Sequence, residues 1–139
     1  MQLALTKLSQ CDILIIMKSY ESKWFAKWAK KNGLTNGQLL EALSRTGAEL
    51  GVVDLGGYIY KVRIGKNNQG RSGGYRTILA FKANKRSIFL FGFEKNDQEN
   101  IDKNQLLLYK EYAKTFMGMT ENEIQSLVES DKILILEKV

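Results

Sequence analysis

The spacing of apolar residues changes period several times along this chain, and each change predicts an element. Lys18 to Lys23 alternates and predicts a short strand. Trp24 to Lys31 predicts a helix, with Trp24 and Trp28 on one face at i and i+4 and Lys23, Lys27, Lys30 and Lys31 around them. Asn32-Gly33 stops it. Thr35 is an N-cap for a second helix reaching roughly to Leu50, with Leu39, Leu40, Leu43 and Leu50 as its apolar stripe and Leu34 as a staple. Gly51, Gly56 and Gly57 mark the change from helix to sheet. Tyr58–Ile64, Tyr75–Lys82 and Arg86–Phe93 are rich in Tyr, Ile, Val and Phe and predict three strands. Ala83-Asn84-Lys85 is short enough to close the last two into a hairpin, whereas Gly65 to Gly74 predicts a longer, mobile loop. Asp102 caps a third helix through Phe116, and Thr120 with Glu123 forms a capping box for a fourth near Glu121–Ser130. Ile133 to Leu136 is a last strand or a docked tail.

The order β-α-α-β-β-β-α-α-(β) segregates helices from strands, an α+β arrangement: two N-terminal helices packed on an antiparallel sheet, with C-terminal helices following. The 139 residues are enough for one domain with a real core. Residues 17–139 are expected to form it. Residues 1–16 read as an extension the fold does not need, with a native strand at Ile13–Met17 as the alternative. Lys7 and Asp12 interrupt the apolar start, no cleavage site follows, and no run approaches membrane-spanning length. The single cysteine, Cys11, excludes an internal disulfide and points to a cytoplasmic, reducing setting with no membrane partner.

Charge sharpens this picture. The net charge is +6 and the isoelectric point is near 9.4, which favours an acidic partner such as nucleic acid. The charge is uneven: residues 1–93 carry +10 and residues 94–139 carry −4. From Tyr58 to Phe93 the chain places Lys61, Arg63, Lys66, Arg71 and Arg76 among aromatics with no acid, and Glu94 is followed by Lys95. Cations on strands and a glycine-broken loop beside aromatics are what RNA requires.

The absence of histidine removes the Ser-His-Asp and Cys-His arrangements and most catalytic zinc sites, and one cysteine cannot build a zinc knuckle. Gly65 to Gly74 lacks the Gly-Lys-Ser/Thr ending of a phosphate-binding loop. No metal or cofactor is expected. RNA cleavage by a 2′-OH on its own phosphate remains within reach of this side-chain set. Arginine stabilises phosphate charge through bidentate contacts, and a lysine among other cations can exchange protons. Lys61 and Arg63, two apart, share one sheet face. If Arg76 faces the same way, three cations meet over one phosphate, and Tyr75 points to the opposite face. Tyr58 and Tyr60 would share a face with each other. The plainer alternative is that Lys61, Arg63 and Arg76 are the solvated face of a half-covered sheet. Trp24 and Trp28 read as packing residues, and Asp97, Glu99 and Asp102 as surface and capping charges.

Three separated motifs carry a family resemblance. Tyr60-Lys61-Val62-Arg63, Ser72-Gly73-Gly74-Tyr75-Arg76-Thr77-Ile78 and Phe91-Gly92-Phe93-Glu94-Lys95-Asn96 together resemble the RelE/ParE superfamily of toxin–antitoxin toxins, most closely its RelE/HigB-like branch. The resemblance runs from about Met17 to the C-terminus. It implies a small RNase-like fold and a type II toxin acting as an endoribonuclease on mRNA, usually at the translating ribosome. It also implies neutralisation by a cognate antitoxin from an adjacent gene, with a helix-turn-helix pattern, so that DNA is touched only through the antitoxin. By position it implies Lys61, Arg63 and Arg76 as catalytic groups, and Lys66, Arg71, Tyr75 and Lys95 as RNA contacts. Asn96 stands where the family's RNases have an arginine, and Asp102 falls near the position of a family tyrosine or histidine. Two alternatives stay open: a ParE-like toxin that blocks a protein such as gyrase, and an RNA-binding homologue without activity.

Overall fold

A computed structural model describes residues 17–66, 70–95 and 100–136, with the side chains at 70–73 outside the description. Residues 1–16, read above as an extension, lie outside the described residues, as do Asn96, Asp97 and Glu99. The elements are β1 (Lys18–Ser22), α1 (Lys23–Lys31), α2 (Asn36–Gly47), β2 (Val52–Gly56), β3 (Ile59–Lys66), β4 (Gly70–Lys82), β5 (Arg86–Glu94), α3 (Lys103–Gly118), α4 (Glu121–Glu129) and β6 (Ile133–Ile135). The architecture is α+β, built on one sheet of order β2-β3-β4-β5-β1-β6.

Local chemistry sets most boundaries. Thr35, Asp102 and Thr120 each cap a helix in a capping box, with Gln38, Gln105 and Glu123 as the reciprocal partners. Gly33, at φ 73°, ends α1 by giving its own N–H to Lys30 while Leu34 N–H reaches Ala29. The second helix stops at Gly47 and not at Leu50, because Glu49 adopts φ 56° and its N–H turns back to Thr46, with Leu50 N–H on Arg45. Leu50 is left exposed.

Four sheet expectations need correction. The glycine-marked crossing holds a strand, β2, whose register with β3 pairs Val52 with Val62. Its shortness and flanking glycines hid it, and Asp54 accepts the N–H of Gly56 to start the turn into β3. The long loop is mostly strand: β3 runs to Lys66 and β4 starts at Gly70. Gly74 permits that approach, since a Cβ there would strike the backbone of Ile64 and Gly65. The sheet is mixed, because β1 lies parallel to β5 while β2 to β5 form antiparallel pairs. Tyr58 has φ 69° and stands in the turn before β3 with Lys82 over its ring, whereas Tyr60 meets Phe81, so the two tyrosines do not share a face.

The sheet is covered on both sides. Phe25, Ala29, Leu39, Ala42 and Leu43 of α1 and α2 pack on Val62, Ile64, Leu79, Phe81 and Phe89. Ala113, Phe116, Met117 and Ile124 of α3 and α4 pack on Tyr20, Ile59, Ile78, Ala80 and Ile88. Strand alternation therefore assigns the β3 side chains, and those of β4 from Tyr75 onward, to one layer or the other.

Candidate active site

Alternation places Lys61 and Arg63 with Ile59 on the α3/α4 side of the sheet, and Arg76 with Ile78 and Ala80 on the same side. The ladder registers them directly: Arg63 opposite Arg76, Lys61 opposite Ile78, and Arg76 opposite Phe93 of β5. Arg63 is exposed and Arg76 is buried. Burial, and then the neighbouring Arg63 cation, hold the Arg76 guanidinium below the ordinary arginine pKa. Lys61 Nζ donates to Asn100 Oδ1 at 3.4 Å, which brings the segment before α3 to the edge of the site. One sheet face thus carries a buried cation, an exposed cation beside it and an amine two residues away, a set that can grip and neutralise a phosphate.

The backbone under Arg63 is held from the other layer. Beyond Val62 strand β2 provides no partner for β3, and the buried Arg45 of α2 donates from Nη2 to the Arg63 carbonyl at 2.8 Å. Its Nε is fixed by Glu41 at 2.8 Å. Neither Arg45 nor Asn100 was legible as a site residue. Arg45 stands at i+4 from Glu41, which by spacing alone marks no more than a helix-surface pair, and no local pattern ties it to β3.

The expected RNA contacts divide. Tyr75 points to the α1/α2 side, where its ring meets Trp28 edge-on at 5.4 Å and its hydroxyl donates to the Asn32 carbonyl at 3.3 Å. It is buried and faces the layer opposite Arg76, so the structure does not bring it together with the three cations. Lys66 lies on that same side, over the Tyr75 ring and ion-paired with Glu94. Lys95 is exposed just after β5, with its N–H on the Gly74 carbonyl at 3.4 Å. Arg71 belongs to β4, but its side chain lies outside the described residues. Asp102 is accounted for by helix capping, accepting from Gln105 N–H at 2.8 Å.

The family model described as the RelE toxin of the RelE / RelB toxin–antitoxin system matches residues 17–136. The chain belongs to the RelE toxin family. That match spans β1 to β6 and thus the whole described fold. RelE toxins act within toxin–antitoxin systems, so this chain is the toxin component and an antitoxin is its partner. No curated protein and no solved structure matches it. No helix among the described residues is long and apolar enough to cross a membrane.

Proposed function

We propose that this RelE-family toxin cleaves mRNA at the ribosome and so stops translation in the cytoplasm. The observation that carries the reading is the pairing of Arg63 with Arg76, one step from Lys61, on a single sheet face. Guanidinium groups on neighbouring strands can each contact a different oxygen of one phosphate, and a scissile phosphate placed there would be held by both.

In this reading the 2′-oxygen forms a bond to phosphorus as the bond to the 5′-oxygen breaks, leaving a 2′,3′-cyclic phosphate and a 5′-hydroxyl. The phosphorane-like charge falls between the guanidinium groups of Arg63 and Arg76. Arg76, buried and therefore poorly hydrated, stabilises that charge more than it would in water. Lys61 is the proton-exchanging amine of the set, with Asn100 orienting it. Lys95, just after β5, and Arg71 of β4 would hold the flanking backbone, while Lys66 lies on the other side of the sheet.

The test is induction of the toxin without its antitoxin, with transcript 5′ ends mapped before and after growth arrest. The wild type should arrest growth and leave new 5′-hydroxyl ends within coding regions. The Lys61→Ala, Arg63→Ala and Arg76→Ala variants should do neither while remaining folded. Unchanged cleavage by these variants sinks the assignment. Intact mRNA with DNA damage would instead mark a ParE-like toxin acting on a protein.

A further inference from the structure

We infer that the outer face of α1 is a second RNA-binding surface, which takes the sugar–phosphate backbone of duplex RNA. Apart from Trp24, the exposed residues of α1 are Lys23, Lys27, Lys30 and Lys31. At about 100° per residue these four lie within an arc of roughly 100°. Phe25 and Ala29 turn the other way, into the core. The helix holds no acidic residue, and none of the four lysines takes part in an ion pair among the described residues.

Helix stability does not account for this arrangement. Lys30 and Lys31 suit the negative end of the helix dipole, but Lys23 occupies the first turn, where a cation is unfavourable and an acid would be preferred. The stripe also lies on the far side of the sheet from Lys61, Arg63 and Arg76, because α1 packs on the layer that holds Val62 and Phe89. One short strand of RNA cannot reach both. A partner that engages both is large and folded, as an RNA particle is, and this extends the ribosome reading above to a named surface.

The chemistry favours duplex backbone over single strands or a protein. Single-strand grooves interleave cations with free aromatic faces. Here Trp28 packs over Gly92, and Trp24 is stacked on Trp28 at 6.2 Å and on Phe91 at 4.7 Å. A protein interface needs apolar anchors at its centre. The one exposed apolar residue of α1, Trp24, stands at the edge of the stripe and lines a pocket with Phe91, Tyr109 and Tyr112, so apolar surface lies beside the lysines and not at their centre. Four bare amines on a helical stripe offer only charge, which suffices for phosphates.

The experiment measures binding of the full chain to a labelled RNA duplex of roughly 20 base pairs across a salt titration. Replacing the four lysines together by glutamine should cut affinity at least ~10-fold at low salt and flatten the log–log salt slope by roughly 2 to 3. The matching arginine variant should bind like the wild type. Arg63→Gln with Arg76→Gln should keep most duplex affinity, so loss of the cleavage reading leaves this result readable by itself. The inference is overturned if the wild type does not bind the duplex, or if the glutamine variant binds within about twofold of it. It is also overturned if that variant keeps its RNA affinity but escapes the antitoxin, which would assign the stripe to the antitoxin.

Discussion

Arg63 and Arg76 stand opposite each other across the β3–β4 ladder, one guanidinium in solvent and the other buried. Like charges directly opposite each other in a ladder are destabilising. Arg63→Gln should therefore raise stability while lowering activity. We expect a gain toward the low end of ~0.2–1 kcal/mol, because the exposed partner is screened, read as a melting temperature about 1–3 °C higher. RNA cleavage should fall by about 10²-fold. A variant that loses both stability and activity would mean that Arg63 is chiefly structural.

The two layers of the sheet separate binding from packing. Lys66→Ala, on the α1/α2 side and paired with Glu94, should change cleavage by less than about threefold. Tyr75→Ala should unfold the protein by roughly 3–5 kcal/mol through the cavity left under Trp28. Tyr75→Phe, which loses only the bond to Asn32, should cleave nearly normally. Thermal melts alongside cleavage assays distinguish these outcomes, and strong loss of activity in a well-folded Tyr75→Phe would return that ring to the site.

Arg45 fastens the Arg63 carbonyl from the opposite layer. Arg45→Met should cost roughly 1–3 kcal/mol, since it leaves that carbonyl without its partner. It should also reduce the turnover number more than it raises KM, because the Arg63 backbone is no longer held for the transition state. Equal effects on both parameters would argue against a positioning role.

Arg86 ties the C-terminal helices to the sheet. It is buried, donates to the carbonyls of Phe116 and Met119 at 2.8 and 2.9 Å, and pairs with Glu121 at 2.6 Å. The hydrogen bond from Arg86 above all, with further help from the Arg86 and Lys18 charges, holds the Glu121 carboxyl below its ordinary value. The unfolded chain then binds more protons in mild acid. The contribution is complete above the unfolded value and fades as pH falls through the folded one. Denaturant titrations should show Glu121→Gln narrowing the gap to wild type as pH drops from 7 toward about 3. A gap that stays constant with pH would show that the pair does not titrate.

Gly92 allows Trp28 to lie flat on β5, where any Cβ would collide with the indole. Gly92→Ala should destabilise by roughly 1–3 kcal/mol. Combining it with Trp28→Leu should recover part of the loss, and strict additivity in that double-mutant cycle would disprove the contact.

Much of this protein was readable from short-range signals. Thr35 and Asp102 were legible as N-caps and Thr120 with Glu123 as a capping box, because these signals lie within three residues; the structure adds Gln38 and Gln105 as reciprocal partners of the first two. Alternation in Tyr60-Lys61-Val62-Arg63 was enough to put Lys61 and Arg63 on one face. The strand β2 escaped notice because five residues bounded by glycine look like a loop until β3 pairs with them. The basic loop was misread for the same reason: Gly70 to Gly74 have no strand propensity of their own and become strand only through a partner.

The sequence by itself determined the periodicities, the caps, the excess of cations in the first two thirds and the motifs shared with RelE toxins. These depend on residues within a few positions of each other. Only the tertiary structure decided which side of the sheet each cation occupies relative to the helices, because register is set by pairing between distant strands. That register put Arg76 beside Arg63, turned Tyr75 and Lys66 away from them, brought Arg45 and Asn100 to the site, and left four lysines of α1 facing outward on the other side.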